Sequence, residues 1–272
     1  MLNDMLTCWE LESNKNRIKE SFSSAVNTYD CSSDIQSYVA DILFQRISCL
    51  NFPYGPILEF GCGTGLLTKK LLCFFQKRDI FSFDLSFNMC KKAKENIQVL
   101  DKSINFLVAD AEYPCLVSNY FSAIFSNSSF QWINSPKDTL RSFKELLVPR
   151  GVIVISTFGP NTLKELSYSL SIYLNKKVLI AASNFLNKKQ LIKYFSSNFK
   201  SVKIQEIVIT KKYPDLFSLL KSLKDTGSNI KTSQLSSFIL TKKKLNLINK
   251  IYKKEFGEII ASYQVFLCEA QR

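Results

Sequence analysis

The 272-residue chain contains no histidine, and its eight cysteines form no C-x-x-C pair. With both absent, the usual zinc-ligand patterns are missing, and no imidazole is available as a general base. No apolar run approaches the ~18 residues that a membrane helix needs. Met1 to Glu20 are polar and charged throughout, without the apolar stretch of a secretory signal. The chain shows no internal repeat and no low-complexity linker. These absences point to a cytoplasmic protein whose cysteines are buried, reduced thiols. Glycine and proline are scarce, at 8 and 7, so three glycines set close together call for a reason.

They occur in Leu58-Glu59-Phe60-Gly61-Cys62-Gly63-Thr64-Gly65. The apolar run Ile57 to Phe60 reads as a strand, and Leu66 to Phe75 as the helix that follows it. Glycines between them permit positive φ and let a ligand reach the backbone. Such a turn, at the carboxyl edge of an α/β sheet, is where nucleotides bind. The spacing G-x-G-x-G is neither the phosphate loop G-x-x-x-x-G-K-[ST] nor the dinucleotide fingerprint G-x-G-x-x-G. With Glu59 before it, the turn resembles motif I of the S-adenosylmethionine-dependent methyltransferases. A carboxylate there suits a cofactor that bears an ammonium and a sulfonium and no phosphate.

The hydrophobic periodicity predicts helices over 16–25 and 33–50, then strands at 57–60, 79–84, 104–109, 120–126 and 151–157, with helices 65–76, 86–98 and 136–147 between them. Strands alternating with helices imply a parallel sheet. Later elements are helices near 162–174, 187–195, 214–223 and 233–256, and strands over 202–210 and 262–269. The helical stretch between the last two strands is placed to act as a lid. Residues 1–55 form a helical lead, 56–160 the core, and 161–272 a C-terminal part of the same domain. The net charge of +13 belongs to that last part, since residues 1–160 carry equal numbers of acidic and basic side chains. Such a field attracts an acidic partner or solvates exposed helix faces.

Two carboxylates and an amide follow the second, third and fourth strands in order. Asp84, 19 residues beyond Gly65, can accept from both ribose hydroxyls or cap the next helix. Asp110 can accept from the adenine amine, with the Ala111 N–H donating to a ring nitrogen, or it forms an Asx turn. After the fourth strand, Asn127 is placed to line the amino-acid end of the cofactor. Phe130 and Trp132 either face the sulfonium or the substrate, or pack in the core.

Flanking segments resemble a single family, the malonyl-acyl-carrier-protein O-methyltransferases of biotin synthesis. They are Phe22-Ser23-Ser24-Ala25-Val26-Asn27-Thr28-Tyr29-Asp30 with Gln36, Ser126-Asn127 with Gln131-Trp132, Ser156 to Leu166, and Leu220 to Gly227 with Thr232. The resemblance implies a Rossmann-like class I methyltransferase fold: a mostly parallel seven-stranded sheet, helices on both faces and a helical lid among the late strands. It implies methyl transfer from S-adenosylmethionine to the free carboxylate of malonyl-acyl carrier protein, which primes pimeloyl synthesis. That acceptor is ionised at neutral pH, with an unperturbed pKa near ~4, and needs no base. Tyr29 is then a candidate for positioning the substrate or the cofactor's carboxylate, or is a core tyrosine. Lys221 and Lys224 are candidates for touching the carrier. Family members carry a basic residue where this chain has Ser24, so that role is lost or passes to a cation such as Arg17 or Lys19. A monomer is expected, with neither membrane nor metal as partner. RNA or another small acid, or a non-catalytic relative of the same fold, stand as alternatives. No N-P-P-[YF] motif or nucleotide-binding module supports RNA.

Overall fold

A computed structural model describes residues 15–98, 104–228 and 241–272. A helix over residues 15–25 (α1) leads through the short α2 (Tyr29–Ser32) into α3 (Asp34–Ser48). The core then runs β1 (Ile57–Phe60), α4 (Leu66–Phe74), β2 (Ile80–Asp84), α5 (Phe87–Gln98), β3 (Asn105–Val108), β4 (Phe121–Ser126), α6 (Pro136–Leu146) and β5 (Leu147–Phe158). After it come α7 (Lys164–Leu174), α8 (Lys188–Ser196), β6 (Ser201–Tyr213), α9 (Leu216–Asp225), α10 (Lys242–Phe256) and β7 (Ile259–Gln271). Thr232, and residues 233–240 of the expected last helix, lie outside the described residues.

All seven strands join one sheet in the order β3-β2-β1-β4-β5-β7-β6. β1 to β5 pair in parallel, and β7 lies antiparallel between β5 and β6. Every residue of β1 and β4 is buried, as befits parallel strands covered on both faces. Alternate side chains divide accordingly: Ile57, Phe125 and Val154 join one apolar cluster, and Leu58, Ile124 and Ile153 the other. Residues of α3, α4, α7, α9 and α10 pack into the first cluster, and residues of α6 and α8 into the second.

The structure departs from the expected boundaries where the backbone does something that periodicity does not encode. β5 begins at Leu147 rather than 151, because Leu147 pairs with Phe121 before the chain bulges through Arg150 at φ 66° and rejoins the ladder at Val152. β6 and β7 run for 13 residues each because they pair along their whole length. The cysteines correct another expectation. Cys62, Cys90 and Cys268 are buried free thiols, but Cys31, Cys49, Cys73 and Cys115 lie at the surface. Among the described residues no helix is long and apolar enough to cross a membrane, and no group of metal ligands occurs.

Candidate cofactor and acceptor site

Strand order reverses between β1 and β4, and a crevice opens outside the carboxyl ends of the strands at such a switch point. Two adjoining cavities lie there. The first, about 980 Å³ with its open mouth, gathers Glu59, Gly61, Gly63, Asp84, Asp110, Ala111 and Asn127. The second, about 710 Å³, lies between the first turn of α3, the 180–185 segment, α9 and Tyr263 of β7. Phe22, Tyr29, Ser128 and Trp132 line both and so form the wall between them.

The glycines of the turn have separate tasks. Any side chain at Gly61 would collide with Ser129, whose hydroxyl donates to the Gly61 carbonyl at 3.1 Å. Gly63, at φ 54°, has nothing within 4 Å of where a Cβ would sit, so its backbone stands bare toward the first cavity. Gly65 starts α4, packs toward Ala93 and Ile97 of α5, and does not line the cavity.

The carboxylates are held before any ligand arrives. Asp84 accepts from the N–H of Gly63 at 3.0 Å and of Ser86 at 2.9 Å, tying the second strand's tip to the glycine turn. Burial raises its pKa, and those N–H groups offset part of the rise. The cap of α5 is Ser86, whose hydroxyl accepts from Met89 N–H at 3.3 Å. Glu59 is buried and accepts from the Ser82 hydroxyl at 2.8 Å. Burial pushes its pKa up to about 7, with the nearby Asp84 charge adding to the rise and the Ser82 hydroxyl opposing it. Asp110 does form the Asx turn, accepting from Glu112 N–H at 2.9 Å, while it also lines the cavity and pairs with Lys15 of α1. Lys15 pairs with Glu112 as well, and no sequence pattern announced it.

Asn127 uses its side chain as a clamp. It accepts from the Ser156 hydroxyl at 2.8 Å and donates to the Gln36 carbonyl at 3.0 Å, joining the ends of β4 and β5 to α3. Phe130 and Trp132 part company: Phe130 is buried beside Phe195, and Trp132 stands in the wall between the cavities. Tyr29 stands in the same wall, where burial first and the Asp84 charge second raise its pKa and keep it a phenol. Lys221 pairs with Asp225, and Lys224 is exposed on α9; neither lines a cavity. Ser24 is exposed, bonds only within α1 to the Glu20 carbonyl at 2.8 Å, and lines neither cavity. Of the substitute cations, Lys19 lines the first cavity and Arg17 lines neither.

The first cavity suits an adenosyl cofactor on its own chemistry. Acidic groups stand at Glu59, Asp84 and Asp110, the turn leaves Gly63 bare, and the buried Thr64 hydroxyl has no hydrogen-bond partner among the described residues.

Comparison with known proteins agrees with this geometry. A family model described as a methyltransferase domain matches residues 58–155. Two malonyl-[acyl-carrier protein] O-methyltransferases of Ilyobacter polytropus are similar over most of the chain. One is 32% identical across 90% of this chain and 88% of that protein, the other 33% identical across 89% and 91%. Among solved structures, phosphoethanolamine N-methyltransferase 2 of Haemonchus contortus, in complex with S-adenosylmethionine, has a TM-score of 0.57. It is 16% identical, covering 91% of this chain and 57% of that one, a likeness of fold.

Proposed function

The chain belongs to the malonyl-[acyl-carrier protein] O-methyltransferase family, and on that premise we propose that it methylates the free carboxylate of malonyl-acyl carrier protein, using S-adenosylmethionine. The product is the malonyl methyl ester that primes pimeloyl synthesis for biotin. One observation carries this reading: a cavity that gathers acidic groups and a second with no charged side chain among its described lining residues meet at Phe22, Tyr29, Ser128 and Trp132.

When bound, the cofactor supplies a methyl group on a positively charged sulfur. Asp84 accepts from its ribose hydroxyls while remaining anchored to Gly63 and Ser86. Asp110 and Ala111 meet the adenine, and Glu59 supplies negative charge near the amino-acid end, beside the Gly61 and Gly63 backbone. Asn127 keeps that end of the cavity in shape. No group needs to take a proton, because the acceptor is already a carboxylate at neutral pH. Tyr29 stays a phenol and serves as a hydrogen-bond donor at the wall. Its hydroxyl has no hydrogen-bond partner among the described residues. Rate acceleration then comes from alignment in a largely apolar chamber walled by α9 and the 180–185 segment.

The carrier meets the basic C-terminal part, with Lys221 and Lys224 at the rim, and the enzyme works as a cytoplasmic monomer. Incubation with malonyl-acyl carrier protein and S-adenosylmethionine should add one methyl mass to the carrier by intact mass spectrometry. An unmodified carrier would refute the reading.

A further inference from the structure

The acceptor in this reading is an anion, yet none of the described residues lining the second cavity is charged. What the wall offers instead is neutral N–H groups, held rigidly. Gln131 is pinned by three bonds. Its Oε1 accepts from Thr157 Oγ1 at 3.2 Å and from Phe158 N–H at 3.4 Å, and its Nε2 donates to the Ser128 carbonyl at 2.6 Å. Because the Phe158 N–H needs an acceptor, the amide has one sensible orientation, and its second Nε2 hydrogen has no protein partner among the described residues. Trp132 stands edge-on to Phe22 at 5.8 Å and to Phe185 at 5.4 Å. Its indole N–H can only donate, and it has no protein acceptor among the described residues. The turn carrying both is fixed: Ser128 holds φ 55°, with its N–H donating to the Ser156 carbonyl and to Ser156 Oγ at 3.1 and 2.8 Å.

We infer that the Gln131 amide and the Trp132 indole position the acceptor's carboxylate, so that this site recognises a single carboxylate by neutral donors and no cation. The inference rests on the proposed methyl transfer and names how its acceptor is held. The physical case for neutral donors is that methylation erases the acceptor's charge on the way to the transition state. A lysine or arginine would bind the reactant anion more strongly than the transition state and so raise the barrier. N–H dipoles orient one carboxylate at a smaller loss. A chamber with no cation among its described lining residues also disfavours a dianion such as free malonate relative to a thioester that carries one charge.

Two substitutions test this. Trp132→Phe keeps an aromatic ring between Phe22 and Phe185 while removing the N–H. Gln131→Glu keeps an oxygen for Phe158 N–H while replacing the donor with an anion. The readout is the dissociation constant of malonyl-pantetheine, titrated into protein saturated with S-adenosylhomocysteine, beside kcat and KM for transfer by the full chain. Trp132→Phe is expected to weaken acceptor binding by roughly ten- to a hundredfold, and Gln131→Glu by at least as much, with S-adenosylhomocysteine affinity unchanged. Unchanged acceptor affinity in both variants would overturn the inference. So would an equal loss of S-adenosylhomocysteine affinity, which marks general damage to the wall. If the unsubstituted protein methylates no malonyl thioester, the proposed function itself fails and takes the inference with it.

Discussion

Asp84 joins three things through one carboxylate: the glycine turn, the start of α5 and the ribose it is proposed to hold. Asp84→Ala leaves the Gly63 and Ser86 N–H groups without their acceptor, so cofactor affinity should fall by about 2 kcal/mol or more. Calorimetric titration checks this, and unchanged affinity would remove Asp84 from the site. Glu59 makes a pH-dependent prediction. Its folded pKa of about 7 lies above a carboxylate's ordinary value, so the proton is held more tightly in the fold than in the unfolded chain. The unliganded protein therefore loses the stability tied to that proton as pH rises through about 7. Glu59→Gln should melt higher than the parent at pH ~8 and no higher at pH ~4. A cationic cofactor needs the ionised form, so its affinity should drop below pH ~7 by up to about tenfold per unit, and Glu59→Gln should bind weakly with no such slope. At this scale, residues whose type and spacing fit a ligand could be read from the sequence. Glu59, Gly61, Gly63, Asp84, Asp110 and Ala111 stand together at one cavity. Lys15 could not, because its partners are 95 and 97 positions away and nothing in a surface lysine declares which carboxylate it meets. The split between Phe130 and Trp132 was equally hidden, since two aromatics two residues apart in a short 3₁₀ turn look alike until the turn's rotation is known.

Elements were legible where side-chain period and buried face agree, as in α3, whose buried Ile35, Val39, Leu43 and Ile47 follow the helical repeat. The sheet order was less so. Pairing of β7 between β5 and β6 is a long-range choice, and only the strand lengths that result from it reveal why the last strands outrun their apolar cores. Two elements close the site from outside the core. α1 is latched over the first cavity by Lys15 on Asp110 and Glu112. α9 is latched to α2 through the Thr28 hydroxyl on the Asp225 carbonyl at 2.9 Å and the Ser32 hydroxyl on the Asp225 side chain at 3.5 Å. Lys15→Ala should release α1. Cofactor dissociation, followed by stopped-flow fluorescence, should accelerate by several-fold, and amide exchange within 15–25 should quicken. Equal dissociation rates would show that α1 does not govern access.

Across the whole molecule the charge is uneven, with all of the net +13 carried by residues 161–272. None of the described residues lining the chamber where the acceptor's carboxylate would sit is charged, while Lys221 and Lys224 are exposed on α9, which helps to wall it. Long-range attraction would therefore act on the carrier and not on the reacting group. KM for malonyl-acyl carrier protein should rise as salt passes from low values to ~0.15 M and beyond, while KM for malonyl-pantetheine moves little. Lys224→Glu should raise the carrier's KM and leave the small thioester's unchanged. Parallel salt responses would move the docking surface elsewhere. The central claim, that the acceptor is a carboxylate, is tested most directly with methyl-labelled S-adenosylmethionine and two carriers that differ only in that group. The account predicts label on malonyl-acyl carrier protein, released by mild alkali as an ester would be, and none on acetyl-acyl carrier protein. Equal labelling of both carriers, or label that survives alkali, would contradict it.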